Sequence, residues 1–312
     1  MIWSIALLIV GFVLLIKGAD FFVEGSSSVA KRLRVPSIII GLTIVAMGTS
    51  LPECAVSVTA SMANQNALAV SNVVGSNIFN LMVVCGFCAL FAPLAVGKST
   101  LIKEFPFSIL CAAVMLGLGF VGMTLSRIDG VIFLVIFACF LIWMIRSALT
   151  ARSNAAELDE EIEILPVWRC VIYIIGGMIA IKYGGDFVVS GASSIAEKFG
   201  LSANLIGLTI VALGTSLPEL VTSIVAARKN EVDMALGNVI GSNIFNILFV
   251  LGIAAAISPV SFIMENVIDI ILLIAMSSLV WIFAWTKQKI GRKEGIAMLL
   301  IYIGYLVYIC VR

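Results

Sequence analysis

Histidine is absent from this chain of 312 residues, and charged residues make up only 12% of it. The first absence removes Ser-His nucleophilic catalysis and imidazole-ligated metal centres. No GxSxG nucleophile elbow is present either, so the chain reads as a non-enzyme without a cofactor. The second absence removes the charged surface of a soluble domain, which typically carries about 25% charge. Hydrophobic residues account for 62%, and the solvent they call for is a lipid bilayer. Short segments of alternating polarity are missing, which excludes a transmembrane β-barrel. Proline is scarce, at seven residues, so a proline inside an apolar run carries meaning. The seven cysteines (Cys54, Cys85, Cys88, Cys111, Cys139, Cys170 and Cys310) lie in or at the ends of apolar runs, where they pack as small apolar side chains. A disulfide framework is not expected, and the Cys85/Cys88 CxxC, inside an apolar helix, favours packing over redox chemistry. The opening twenty residues lack a basic n-region and a small-residue cleavage site, so they read as the first span and not as a signal peptide.

What is present is a series of apolar runs long enough to cross roughly 30 Å of hydrocarbon. They fall at about 2–24, 36–61, 67–92, 105–125, 129–146, 167–190, 202–226, 234–258, 262–286 and 294–311. Ten helices are expected, in an all-α polytopic membrane protein. Taken alternately, the loops place fourteen of the nineteen Lys and Arg residues on one side. By the positive-inside rule that side is cytoplasmic, which puts both termini outside.

Thirteen residues occur twice, GLTIVAMGTSLPE at 41–53 and GLTIVALGTSLPE at 207–219, differing only at Met47 and Leu213. A second pair follows at the same offset of 166: SNVVGSNIFN at 71–80 and GNVIGSNIFN at 237–246. The chain is a duplicated unit whose polar atoms are its most faithfully repeated part. Residues 1–150 form the first five-helix repeat, 151–166 an acidic cytoplasmic linker and 167–312 the second repeat. Loop charge records an inversion, because KRLR at 31–34 corresponds to EKFG at 197–200, and SMANQN at 61–66 to ARKNEV at 227–232. Matched loops therefore emerge on opposite faces. Inverted repeats of this kind hold substrate near the midplane on interrupted helices.

Pro52 and Pro218 supply interruptions, since proline lacks an amide proton and its ring clashes with the carbonyl four residues back. Helices 2 and 7 are expected to break there, freeing carbonyls that include those of Ala46 and Ala212. Thr49 and Ser50 precede Glu53 by four and three residues, so the three side chains share a helix face; Thr215, Ser216 and Glu219 repeat this. In the next span Asn72, Ser76 and Asn80 recur every four residues, as do Asn238, Ser242 and Asn246, and Gly75 and Gly241 permit close helix approach. Ionisable residues within a bilayer face the protein interior and are functional by default. Two carboxylates surrounded by amide, hydroxyl and carbonyl oxygens suit a hard cation. Calcium accepts six to eight oxygens in forgiving geometry, whereas zinc or copper would ask for nitrogen or sulfur.

With both copies of GTSLPE and GSNIFN in place, the whole chain resembles the calcium/cation antiporter superfamily, which includes sodium/calcium exchangers. The resemblance implies an antiporter exchanging Ca2+ for Na+ across the membrane by alternating access, in a prokaryotic inner membrane. It makes Glu53 and Glu219 central ligands, with hydroxyl or carbonyl oxygens from Thr49, Ser50, Thr215 and Ser216. Ser76 and Ser242 would line outer sodium positions, Ala46 and Ala212 would donate carbonyls, and Asn80 and Asn246 would flank the middle. Some relatives, including potassium-dependent ones, carry aspartate at the position of Asn246, so asparagine here argues against a potassium requirement. Neither a nucleic acid nor an obligatory protein partner is implied. A Ca2+/H+ antiporter of the same architecture and a passive cation channel remain as alternatives. Asn77 and Asn243 lie off the ligand faces and read as structural. Lys17 with Asp20, and Lys182 with Asp186, read as local pairs. The acidic run 157–163 lacks the spacing and glycine of an EF-hand and reads as a solvated linker.

Overall fold

The computed structural model describes residues 2–63, 66–154, 165–200, 210 and 212–311. Its long helices are α1 (Ile2–Leu33), the bent pair α2 (Ser37–Thr49) and α3 (Leu51–Met62), α4 (Leu68–Phe91), α5 (Thr100–Met123), α6 (Arg127–Ser153) and α7 (Val167–Lys198). They continue with α8 (Leu217–Arg228), α9 (Val232–Ile257), α10 (Met264–Lys287) and α11 (Arg292–Val311). Among the described residues, eight helices are long and apolar enough to cross a membrane, or nine counting the bent pair as one span. The tenth expected span, 202–226, begins outside the described residues; α8 and a helical turn at Ala212–Gly214 are its described part. Most of the acidic linker also lies outside them.

Burial sorts the helices into layers. The most hydrophobic stretches of α4 and α9 are 83% and 78% buried, while those of the other long spans range from 17% to 44%. The two helices carrying GSNIFN are therefore the centre of the bundle, and the remaining spans expose apolar faces to lipid. α1 packs along α7 in antiparallel fashion. A Cβ at Gly18 would fall 3.0 Å from the Gly177 carbonyl oxygen, and one at Gly11 would fall 2.8 Å from that of Gly184. Only glycine lets these backbones approach so closely, the small-residue logic of membrane helix pairs. Gly11, Gly18 and Gly25 recur at intervals of seven, and adding 166 gives Gly177, Gly184 and Gly191. Gly241 similarly admits α2, whose Leu42 Cα would stand 2.7 Å from a Cβ placed there.

Two small antiparallel sheets tie the ends. β1 (Leu94–Ala95) pairs with β4 (Lys289–Ile290), and β2 (Thr124–Leu125) with β3 (Val260–Ser261). Each sheet joins a strand of the first half to one of the second, so the halves are interlocked and not merely side by side.

The α2–α3 pair bends by 49°. Ser50 leaves helical geometry at φ −87° and ψ 13°, and Pro52 occupies the first turn of α3, where its missing N–H costs nothing. Ser216 does the same before Pro218, at φ −93° and ψ 6°. α4 and α9 also contain π-helical turns, Asn80–Val84 and Asn246–Val250. Such widened turns re-aim side chains and favour functional positions, and both begin at an asparagine of the repeated motif.

Candidate functional site

The interruptions bring the two halves of the repeated motif together in the core. Glu53 and Glu219 are fully buried, at 0% exposure, and stand close enough to interact electrostatically. Their oxygens are divided in the same way. Ser216 Oγ donates to Glu53 Oε1 at 3.0 Å, and Ser50 Oγ donates to Glu219 Oε1 at 2.7 Å. Neither Oε2 has a hydrogen-bond partner among the described residues.

This corrects the expected grouping in one respect. Helical spacing places Ser50 beside Glu53 of its own segment, but the chain leaves the helix at Ser50 and turns its hydroxyl to the carboxylate of the other half. Thr49 Oγ1 is also shared, lying 3.2 Å from Val45 O, 3.3 Å from Ala46 O and 3.1 Å from Asn238 Oδ1.

The following helices supply the rest. Ser76 Oγ lies 3.2 Å from Ser216 Oγ, and Ser242 Oγ reaches the Ala46 carbonyl at 3.5 Å. That carbonyl is not stripped of its main-chain donor, because Ser50 N still bonds it at 3.1 Å: the break begins one residue too late to free it. In the second half, Ser216 N turns to Leu213 O at 3.3 Å, one residue along from Ala212. Asn80 and Asn246 are both fully buried. Among the described residues neither amide atom of Asn80 has a partner, nor does Asn246 Oδ1, while Asn246 Nδ2 donates to Asn77 Oδ1 at 3.1 Å.

Several contacts were not anticipated. Asn72 Nδ2 donates to Ser57 Oγ, and Asn238 Nδ2 to Ser223 Oγ, each at 2.9 Å. Ser57 and Ser223 follow the two glutamates by four residues, so the repeat itself marked them. Asn77 and Asn243, read as structural, clasp one another: each Nδ2 donates to the other's main-chain carbonyl at 3.2 Å. Lys182 pairs with Asp186 at 2.7 Å as expected, but Asp20 holds Lys229, from the α8–α9 turn, at 2.6 Å. That partner is distant in sequence and left no local signal for Lys17 to be displaced.

Unsatisfied buried polar atoms are costly in a protein interior. Of the ten such atoms among the described residues, five belong to Glu53, Glu219, Asn80 and Asn246 and the others to Ser26, Glu104, Ser193, Thr222 and Asn243; no lysine or arginine stands beside the two carboxylates among the described hydrogen bonds and ion pairs. Among the described residues no cluster of three His, Cys, Asp or Glu side chains could hold a metal. A cation taken here would be held by the two carboxylates and neutral oxygens.

Residues 3–146 and 170–311 match the sodium/calcium exchanger protein family. The chain belongs to that family. It is 38% identical to the inner membrane protein YrbG of Escherichia coli strain K12, over 83% of this chain and 81% of that protein. It is 31% identical to the sodium/calcium exchanger MaX1 of Methanosarcina acetivorans, over 96% and 97%. The fold superposes on a solved structure of the sodium-calcium exchanger NCX_Mj soaked with Na+ and Sr2+, with a TM-score of 0.86, 34% identity and 98% coverage of both chains. The protein is thus a multi-pass membrane transporter of the exchanger family and not an enzyme.

Proposed function

We propose that this chain is a secondary active antiporter that exchanges Ca2+ for Na+ by alternating access. The observation that carries the reading is the crossed pair of carboxylates: each glutamate is held at one oxygen by the serine of the other half and keeps its second oxygen unpartnered. In this reading Glu53 and Glu219 share the ion, and Thr49, Ser50, Thr215 and Ser216 complete the inner shell. Ser76, Ser242, Asn80 and Asn246 and the carbonyls of Ala46 and Ala212 serve the flanking positions.

Coupling follows from electrostatics. Burying an ion without compensation costs on the order of several kcal/mol, so a site with two bare carboxylates does not readily cross. One Ca2+ neutralises both, and Na+ must bind at least in pairs to do so. Because the ions share ligands they exclude one another, and either load permits passage. Residues 1–150 and 167–312 are the two repeats, joined by the linker 151–166, and ten spans with an odd number per repeat invert the second. The antiparallel packing of α1 on α7 supports that inversion. Loop charge places both termini outside.

The test is calcium-45 uptake into sealed vesicles under imposed Na+, K+ and H+ gradients. An outward Na+ gradient is expected to drive uptake, while H+ and K+ gradients leave it unchanged. Uptake driven by H+ alone would assign a Ca2+/H+ antiporter, and uptake without any counter-ion would assign a channel.

A further inference from the structure

Asn77 is buried, at 0% exposure, and among the described residues its side chain bonds Asn243 and Asn246 and neither glutamate. Its role follows from the direction of its hydrogen bonds. A backbone carbonyl can only accept, so Asn77 must present Nδ2 to the carbonyl of Asn243, at 3.2 Å. Its Oδ1 is thereby the atom left to face Asn246. An amide oxygen also only accepts, so Asn246 must answer with Nδ2, at 3.1 Å. That leaves Asn246 Oδ1, buried and without a donor among the described residues, as the atom available to a cation. One main-chain carbonyl thus sets the polarity of two side chains in series.

The mirror position lacks this relay. Asn243 donates Nδ2 to the Asn77 carbonyl at 3.2 Å, but among the described residues its Oδ1 has no partner and neither amide atom of Asn80 is bonded. The described contacts therefore set the direction of the Asn246 amide and not that of Asn80.

We infer that Asn77 is a positioning residue for cation binding, fixing the Asn246 amide so that it offers an oxygen and not an N–H to the ion. The inference rests on the exchanger reading above, in which Asn246 is a ligand. An amide presented the other way would point hydrogens at a cation, and the energy of turning it would be subtracted from binding. Groups that orient metal ligands typically influence affinity by about 10- to 100-fold.

The test is equilibrium calcium-45 binding to purified full-length protein, with Na+-driven uptake in proteoliposomes measured alongside. Asn77→Ala is expected to raise the half-saturating Ca2+ concentration about tenfold and to leave the maximal uptake rate nearly unchanged. Asn246→Ala should weaken binding too, and adding Asn77→Ala to it should change nothing further, because the two act as one unit. A purely structural role would make the two effects multiply. Asn243→Ala leaves the anchoring carbonyl in place and should shift binding far less. Asn77→Ser keeps a polar group in the layer but is too short to span both partners, so it must behave as Asn77→Ala and decides the matter if the alanine variant does not fold. Wild-type affinity in Asn77→Ser, or multiplying effects in the double variant, would overturn the inference and leave the exchanger reading standing. Absence of Ca2+ binding by the wild-type protein would overturn that reading itself and this inference with it.

Discussion

The two halves carry the same thirteen-residue motif with one difference, and around that motif they make the same contacts with their partners exchanged. Ser50 serves Glu219 and Ser216 serves Glu53; Asn72 finds Ser57 and Asn238 finds Ser223. Away from it they diverge. On α8 Thr222 is fully buried and its hydroxyl has no partner among the described residues, where the first half has Val56. The α8–α9 turn carries Lys229 and Glu231, where the first half has Ala63 and Gln65. Lys229 is ion-paired with Asp20 and Glu24 of α1, and Glu231 accepts from both Ser27 and Ser37. Glu24, Ser27, Lys229 and Glu231 line a cavity of about 600 Å3 together with Lys31 and Arg169. Under the function proposed above, duplication is retained where a shared ion would take equivalent oxygens from both halves, and relaxed where the inverted halves would meet opposite sides of the membrane.

The comparison can be broken most easily at the crossing serines. Ser50→Ala and Ser216→Ala each remove a hydrogen bond to a buried carboxylate, an interaction worth about 1.5–3 kcal/mol. Each is expected to raise the half-saturating Ca2+ concentration about tenfold or more, by similar factors, in vesicle uptake measured against external Ca2+. A large effect from one serine and none from the other would show that the halves are not functionally matched.

A smaller and unequal effect is expected one layer away. Asn238 is fully buried and bonds both Ser223 and Thr49, whereas Asn72 is only part-buried and bonds Ser57 and the Glu53 carbonyl. Asn238→Ala should therefore cost about 1 kcal/mol more stability than Asn72→Ala, given about 1–3 kcal/mol for each buried group left unsatisfied. Thermal melting of the two variants in the same detergent reads this directly. Equal melting temperatures would remove the distinction drawn here between the two layers.

The bilayer, the repeated motif and the burial of Glu53 and Glu219 in the core were legible because each rests on composition or on repetition, which need no three-dimensional information. The crossing of the serines was not. Helical spacing assigned Ser50 to Glu53 on the premise of a continuous helix, and the chain leaves helical geometry at Ser50 itself. The Ala46 carbonyl illustrates the same limit, since its state depends on which residue begins the break. Gly11, Gly18 and Gly25, with Gly177, Gly184 and Gly191, were readable in principle as a repeat at intervals of seven, and they mark the α1–α7 contact. The pairing of Asp20 with Lys229 spans 209 residues and depends wholly on the fold. Asn77 reads only as structural from the sequence, because spacing shows which face a residue occupies and not which way its amide points.

The most direct measurement is the stoichiometry of calcium-45 bound at equilibrium by purified wild-type protein, Glu53→Gln and Glu219→Gln, each confirmed folded by size-exclusion chromatography. If the two carboxylates hold one ion between them, the wild type binds a single Ca2+ per chain and each variant alone loses it. Two ions in the wild type, or one ion retained by either variant, would mean that the glutamates act separately and would contradict the shared site.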